Sequence, residues 1–156
     1  MNDLVEKIRE IADYEFGRGT GSILFPANVR VEHSRNTGRI RYVYLAEERL
    51  ATLRPTDGLF SLSIAGARRV VTYIKTAECY VAVKNTVSSI VCEGGDVFAA
   101  HVAKVGDKVR AGDEIIVLNE DRELVAVGRA VLSGLEMRSF RRGVAVKVRR
   151  GSGEER

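Results

Sequence analysis

The second half of the chain, from Val81 to Arg150, is a succession of short extended runs cut apart by turn residues, and that rhythm restricts the fold more than any other feature. Tyr80 to Val83, Val97 to Val102, Glu114 to Leu118, Glu123 to Leu132 and Gly143 to Arg149 are rich in aliphatic residues, with the short lengths typical of strands. Gly94-Gly95, Gly112-Asp113 and Asn119-Glu120-Asp121 punctuate them. One helical segment interrupts the pattern: Thr86 to Glu93, with Val87, Ile90 and Val91 directed inward and Gly94 just past its C-terminus. Five or six strands this short leave edges exposed to stray pairing, and so small a sheet hides them best by curling into a compact mixed barrel. In the last run Val144, Val146 and Val148 alternate with Ala145, Lys147 and Arg149, which predicts an aliphatic inner face and a largely cationic outer one.

The first half reads differently. Leu4, Val5, Ile8, Ile11 and Ala12 recur at helical spacing, so residues 3 to 15 form an amphipathic helix, with Asp3 and Glu6 placed as a capping box. Gly17-Arg18-Gly19-Thr20-Gly21 follows a helix rather than a strand and lacks a Gly-Lys-Ser/Thr ending, so it is read as a flexible turn and not a phosphate loop. Val29 to Arg35 and Arg39 to Tyr44 flank Asn36-Thr37-Gly38 as a hairpin. Arg49 to Arg54 is a strand stopped by Pro55-Thr56-Asp57-Gly58, and Leu59 to Leu62 is another. Ile64, Ala67, Val70, Val71 and Ile74 mark a helix capped by Ser63. The pattern changes near Lys75 to Glu78. The expected organisation is therefore an α+β domain over residues 1–75, a barrel over 76–150 and a disordered tail over 151–156.

No apolar run approaches the roughly 18 residues of a membrane span, and the charged N-terminal helix is not a signal peptide; a cytoplasmic protein without a membrane partner is expected. Cys79 and Cys92 lie on apolar segments without a Cys-x-x-Cys pair, so both are assigned to core packing. His33 and His101 are isolated, and no metal, cofactor or catalytic set is expected. The net charge is +4 and its distribution matters more. Arg138, Arg141, Arg142, Lys147, Arg149 and Arg150 occupy a stretch with no acidic residue. A glycine turn beside such a strand suits a phosphate backbone, because bare amides and cations both favour anions. The candidate RNA contacts are Gly94, Gly95, Arg141, Arg142, Lys147, Arg149 and Arg150, with the arginines of the Arg35 to Arg41 hairpin as the alternative surface.

Several ordered motifs carry a resemblance. Ala12-Asp13-Tyr14-Glu15-Phe16-Gly17, Ser34 to Arg41, Leu53 to Phe60 and Ile64 to Arg69 resemble the region that precedes the PUA domain in archaeal tRNA-guanine transglycosylase. Gly94 to Ala99, Arg110 to Glu114, Ala126 to Ala130, Leu132 to Met137 and Arg142 to Arg149 are similar to the PUA domain itself (pseudouridine synthase and archaeosine transglycosylase). The resemblance implies a small pre-PUA α+β domain followed by a PUA pseudo-barrel. It also implies a tRNA-binding module that grips the acceptor stem and 3′ end through Gly94-Gly95 and Lys147 to Arg149. The family's catalytic barrel, catalytic aspartates and zinc cysteines have no counterpart here. The expectation is a stand-alone RNA-binding module, not an enzyme, serving a separately encoded tRNA-modifying enzyme in a step such as archaeosine formation. A small unrecognised RNA-modifying enzyme and an adaptor for an acidic protein are the alternatives.

Overall fold

The computed structural model describes residues 3–73 and 79–154. They fall into two compact units, one within Met1–Tyr73 and one within Ile74–Arg156. The boundary expected at Lys75 to Glu78 lies outside the described residues.

In the first unit α1 (Asp3–Phe16) buries Val5, Ile8, Ala12 and Phe16, the stripe its spacing dictates. The glycine stretch read as a flexible turn is instead ordered and opens a second helix, α2 (Thr20–Leu24). Five residues are too few to show a period in sequence. The Gly21 amide donates to Asp13 Oδ1 at 2.6 Å and ties α2 to α1. Then β1 (Arg30–His33), β2 (Ile40–Leu45), β3 (Glu48–Leu53) and β4 (Phe60–Leu62) form an antiparallel meander in chain order. Gly38 closes the predicted hairpin turn by donating to the Ser34 carbonyl at 2.9 Å. Ser63 Oγ accepts from the Gly66 amide at 3.0 Å and starts α3 (Ile64–Val70). Phe25 and Phe60 meet edge to face at 5.1 Å within this core.

The second unit holds β5 (Tyr80–Val83), β6 (Val97–Phe98), β7 (Val102–Val105), β8 (Glu114–Leu118), β9 (Leu124–Ala130) and β10 (Val144–Gly151). Their order across the sheet is β6-β10-β9-β8-β5-β7, with β5 and β8 parallel and every other pair antiparallel. The expected single run Val97 to Val102 is broken, because Ala99–His101 forms a 3-10 turn between β6 and β7. These two strands hold opposite edges of the sheet. In a flat sheet they would stand roughly 24 Å apart, whereas the four backbone steps from Phe98 to Val102 reach roughly 14 Å. The short link therefore requires the sheet to curl, and the six strands form a nearly closed barrel.

Val81, Val83, Val91, Ile115, Val117, Ala126 and Val146 fill the interior. The expected helix at Thr86 to Glu93 is a 3-10 turn, Asn85–Val87, followed by α4 (Ser88–Cys92). So short a helix buries a single stripe: Val91 enters the core, whereas Ile90, expected inward, is 63% exposed and lies along the backbone of Gly95. A helix not foreseen, α5 (Gly134–Ser139), is set by a complete capping box in which Ser133 Oγ accepts from the Glu136 amide and Glu136 Oε1 from the Ser133 amide. The tail expected to be disordered from residue 151 is ordered to Glu154. Gly151 is the last residue of β10 and pairs with Ala126, and Ser152–Glu154 forms a 3-10 turn. Its Gly-Ser-Gly composition conceals that the ladder continues into it. Cys79 is buried, and Cys92, half-buried, packs against the barrel core with its thiol 3.1 Å from the Ser152 hydroxyl.

Candidate nucleic-acid interface

The turn between α4 and β6 is a helix C-terminus in the Schellman form. Gly94, at φ +102°, donates to the Val91 carbonyl at 2.9 Å, and Gly95 donates to the Ile90 carbonyl at 3.0 Å. The left-handed φ explains the glycine at 94. It also revises the chemistry: both amides are spent on the helix end, and the Ile90 side chain lies over Gly95, so the turn offers neither free donors nor an open backbone surface. The Glu154 carboxylate lies against Gly94 and accepts from the Gly151 amide at 2.7 Å.

Asp96 joins this turn to β10. One carboxylate oxygen accepts from the Val148 amide at 2.9 Å and the other from Lys147 Nζ at 3.3 Å. The Lys147 side chain is 72% exposed, and a surface pair of this kind contributes at most about 1 kcal/mol, so another anion can compete for the ammonium.

The alternation of β10 does not persist along its length. Ala145, expected on the cationic face, is buried, because the register shifts between Val144 and Val146 where β10 meets β6. A second shift falls between Val148 and Arg150 against β9, a bulge that frees Arg149 from the simple pleat. Arg149 reaches Glu114 on β8 and donates to both its carboxylate oxygens, Nη1 to Oε1 at 3.1 Å and Nη2 to Oε2. The Glu114 side chain is fully buried and that of Arg149 is 38% exposed. Arg149 is thus the counter-charge of a buried acid. The sequence carried a sign of this in Glu114 at the head of the otherwise apolar Glu114 to Leu118 run, which reads only as a strand start.

The remaining cations divide in the same way. Arg138 pairs with Asp107 and donates to the Val105 carbonyl at 2.9 Å, so it braces α5 against β7. Arg141 and Arg142 are exposed on the approach to β10 and make no hydrogen bond or ion pair with any described residue. Arg150 is exposed beyond the bulge. Phe98 and Phe140, which sequence patterning did not single out, are both exposed aromatics of this unit. The second unit therefore brings together the glycine turn, Asp96 and Lys147, with Arg141, Arg142 and Arg150 exposed on or beside the same strand. In the first unit Arg35 and Arg39 are exposed in the β1–β2 hairpin, and the Arg41 guanidinium stands 5.6 Å from the Tyr42 ring.

His33 is exposed at the end of β1 and His101 lies edge-on to Phe98, with ring centroids 6.3 Å apart. Among the described residues no group of three or more His, Cys, Asp or Glu side chains is placed to hold a metal ion, and no helix is long and apolar enough to cross a membrane.

Comparison with known proteins follows the division into two units. Residues 6–76 match the patch-forming domain C2 of tRNA-guanine transglycosylase, and residues 80–152 match the PUA domain. The chain is 40% identical over 149 residues to the tRNA-guanine(15) transglycosylase of Methanothermobacter thermautotrophicus, covering 96% of this chain and 23% of that protein. It is also 40% identical over 149 residues to the enzyme of the same name from Pyrococcus furiosus, covering 96% of this chain and 25% of that one. The chain thus spans about a quarter of the length of these relatives. Among solved structures, a hypothetical protein of Pyrococcus horikoshii OT3 matches with a TM-score of 0.74 at 20% identity, over 97% of this chain and 91% of that one. A conserved PUA domain protein from Thermoplasma acidophilum matches with a TM-score of 0.67 at 18% identity, over 98% of this chain and 91% of that one. The chain is therefore a C2 domain followed by a PUA domain, and over nearly its whole length it resembles the C-terminal region of the archaeal tRNA-guanine transglycosylases.

Proposed function

We propose that the chain binds tRNA by its acceptor stem and 3′ end, without itself modifying the RNA, and serves a tRNA-modifying reaction such as archaeosine formation. The observation that supports this best is the exposed Lys147 beside the Gly94-Gly95 turn, to which Asp96 joins it, with Arg141 and Arg142 open on the approach to the same strand. A duplex backbone lying along this strand would have its phosphates neutralised by these cations. The PUA match, and relatives whose name is that of a tRNA enzyme, favour RNA over other polyanions. The domains matched are the C2 and PUA domains, and the relatives' guanine exchange is not assigned to residues of this chain.

The test is affinity for tRNA across a salt series. The combined Arg141→Ala, Arg142→Ala and Lys147→Ala variant should lower the slope of log affinity against log salt by about 0.7–0.9 for each lost phosphate contact. Guanine-exchange assays with the purified chain should give no turnover. An unchanged slope would move the surface elsewhere, with the Arg35 to Arg41 hairpin next to be tried, and clear turnover would overturn the non-catalytic reading.

A further inference from the structure

One face of the β1–β3 sheet in the first unit carries a cluster that simple strand alternation does not build. Between β1 and β2, Glu32 faces Tyr42 and His33 faces Ile40, so Arg41 is an extra residue on β2. Between β2 and β3, Val43 faces Ala51 and Tyr44 faces Arg49, so Leu50 is an extra residue on β3. Without this second bulge Leu50 would oppose Tyr44, and Arg49 would turn to the side of the buried Val43 and Ala51. With it Leu50 is buried and Arg49 stays exposed beside the tyrosines. The Arg41 and Arg49 guanidiniums each stand 5.6 Å from the centre of the Tyr42 ring, and that of Arg30 stands 4.5 Å from the Tyr44 ring. The two rings meet edge to face at 6.2 Å. Arg30 is paired with Glu32. The Arg41 and Arg49 guanidiniums make no hydrogen bond or ion pair with any described residue, although Arg41 Nε is buried.

We propose that this face is a docking surface for a protein partner that presents carboxylates to Arg41 and Arg49 and covers the edges of Tyr42 and Tyr44. The proposal concerns the first unit and stands apart from the RNA-binding reading of the second. Tyrosine and arginine are among the residues that concentrate binding energy at protein interfaces. A guanidinium already laid against a ring has less freedom to lose when a carboxylate engages it, and its planar fork can grip that carboxylate with two hydrogen bonds. Two features disfavour RNA on this face. Guanidiniums already stand over both rings, where a base would have to stack. Glu32, opposite Tyr42 and with its side chain 45% exposed, sets a negative charge inside the patch, in the path of a phosphate backbone. A protein can answer that acid with a cation of its own, so the mixture of signs fixes the partner's orientation.

The experiment replaces Thr52, which pairs with Tyr42 on this face, by the photo-crosslinker p-benzoylphenylalanine in the full chain, within cells of its source organism. A protein should be captured whether or not RNase is added, and its crosslinked segment should carry carboxylates. That protein is then purified and titrated against the chain. Arg41→Ala combined with Arg49→Ala should weaken it about thirtyfold, the scale of one interface hot spot, and leave tRNA affinity within about twofold. Because that variant could lose stability, a charge swap accompanies it. Arg49→Glu should abolish the complex, and reversing the partner's crosslinked carboxylate to arginine should restore it by at least about tenfold, which misfolding cannot produce. No captured protein, capture of RNA or of a second copy of this chain alone, a crosslinked segment without acids, or no rescue by the swap would overturn the proposal. Equal losses of tRNA and protein binding in the double alanine variant would also overturn it and give this face to nucleic acid. A chain that holds the captured protein through these arginines but does not bind tRNA would overturn the RNA-binding reading alone.

Discussion

Replacing Arg149 by alanine separates a structural cation from a nucleic-acid contact. Glu114 has no exposed side-chain surface, and Arg149 answers it with two donors from β10. Truncation leaves a buried carboxylate without that partner, a change that typically costs 3–5 kcal/mol. The guanidinium is itself 38% exposed, so water reaches one side of the pair and the lower end, about 3 kcal/mol, is the appropriate figure. For a unit of this size each kcal/mol lowers the melting temperature by about 4–8 °C, so a fall of about 12–24 °C is expected by far-ultraviolet circular dichroism. Adding Glu114→Gln to Arg149→Ala removes the buried charge and should recover a substantial part of that loss. Measured well below the new midpoint, the salt slope for tRNA should stay at the parental value. A melting temperature within about 3 °C of the parent, together with a slope reduced by about 0.7–0.9, would refute the argument and return Arg149 to the RNA surface.

Two further outcomes test the frame of the PUA unit. Ser133→Ala removes half of the capping box of α5 and should cost about 1 kcal/mol in urea unfolding, with Ser133→Asp retaining most of the parental stability. Gly128→Ala forces a methyl group onto the Lys147 carbonyl where β9 pairs with β10. Overpacking of this kind typically costs 1–3 kcal/mol, and amide exchange should show opening centred on the β9–β10 pair.

Most of the architecture was legible because it rests on local signals. The 3.6-residue stripe of α1, the Asn36-Thr37-Gly38 turn, Ser63 as a cap and Gly94 as a helix stop each act within a few residues. What escaped were features set by tertiary geometry. The break at Ala99–His101 exists because a sheet must close, and nothing in Val97 to Val102 itself announces it. The bulge that takes Arg149 to Glu114 is invisible to a period-2 reading, which places Lys147 and Arg149 together on one face. α2 and α5 are too short for periodicity to register, although Ser133 and Glu136 stand at capping-box spacing in plain sight. The candidate site was accordingly half legible. Arg141, Arg142, Lys147 and Arg150 stand exposed, but composition could not tell that Arg138 and Arg149 answer acids of the fold itself.

On the RNA-binding reading proposed above, Asp96 gives the surface a selective character. Its carboxylate is held beside Lys147 by the Val148 amide, which donates to its other oxygen. Any anion reaching that ammonium therefore arrives beside a fixed negative charge and gains less than it would from an unencumbered lysine. A loosely associated polyanion, making one or two contacts, is taxed in full. A nucleic acid whose contour follows turn, strand and approach together spreads the same penalty over many contacts. The residue that keeps the turn and strand in register is thus also an internal competitor, trading raw attraction for discrimination by shape.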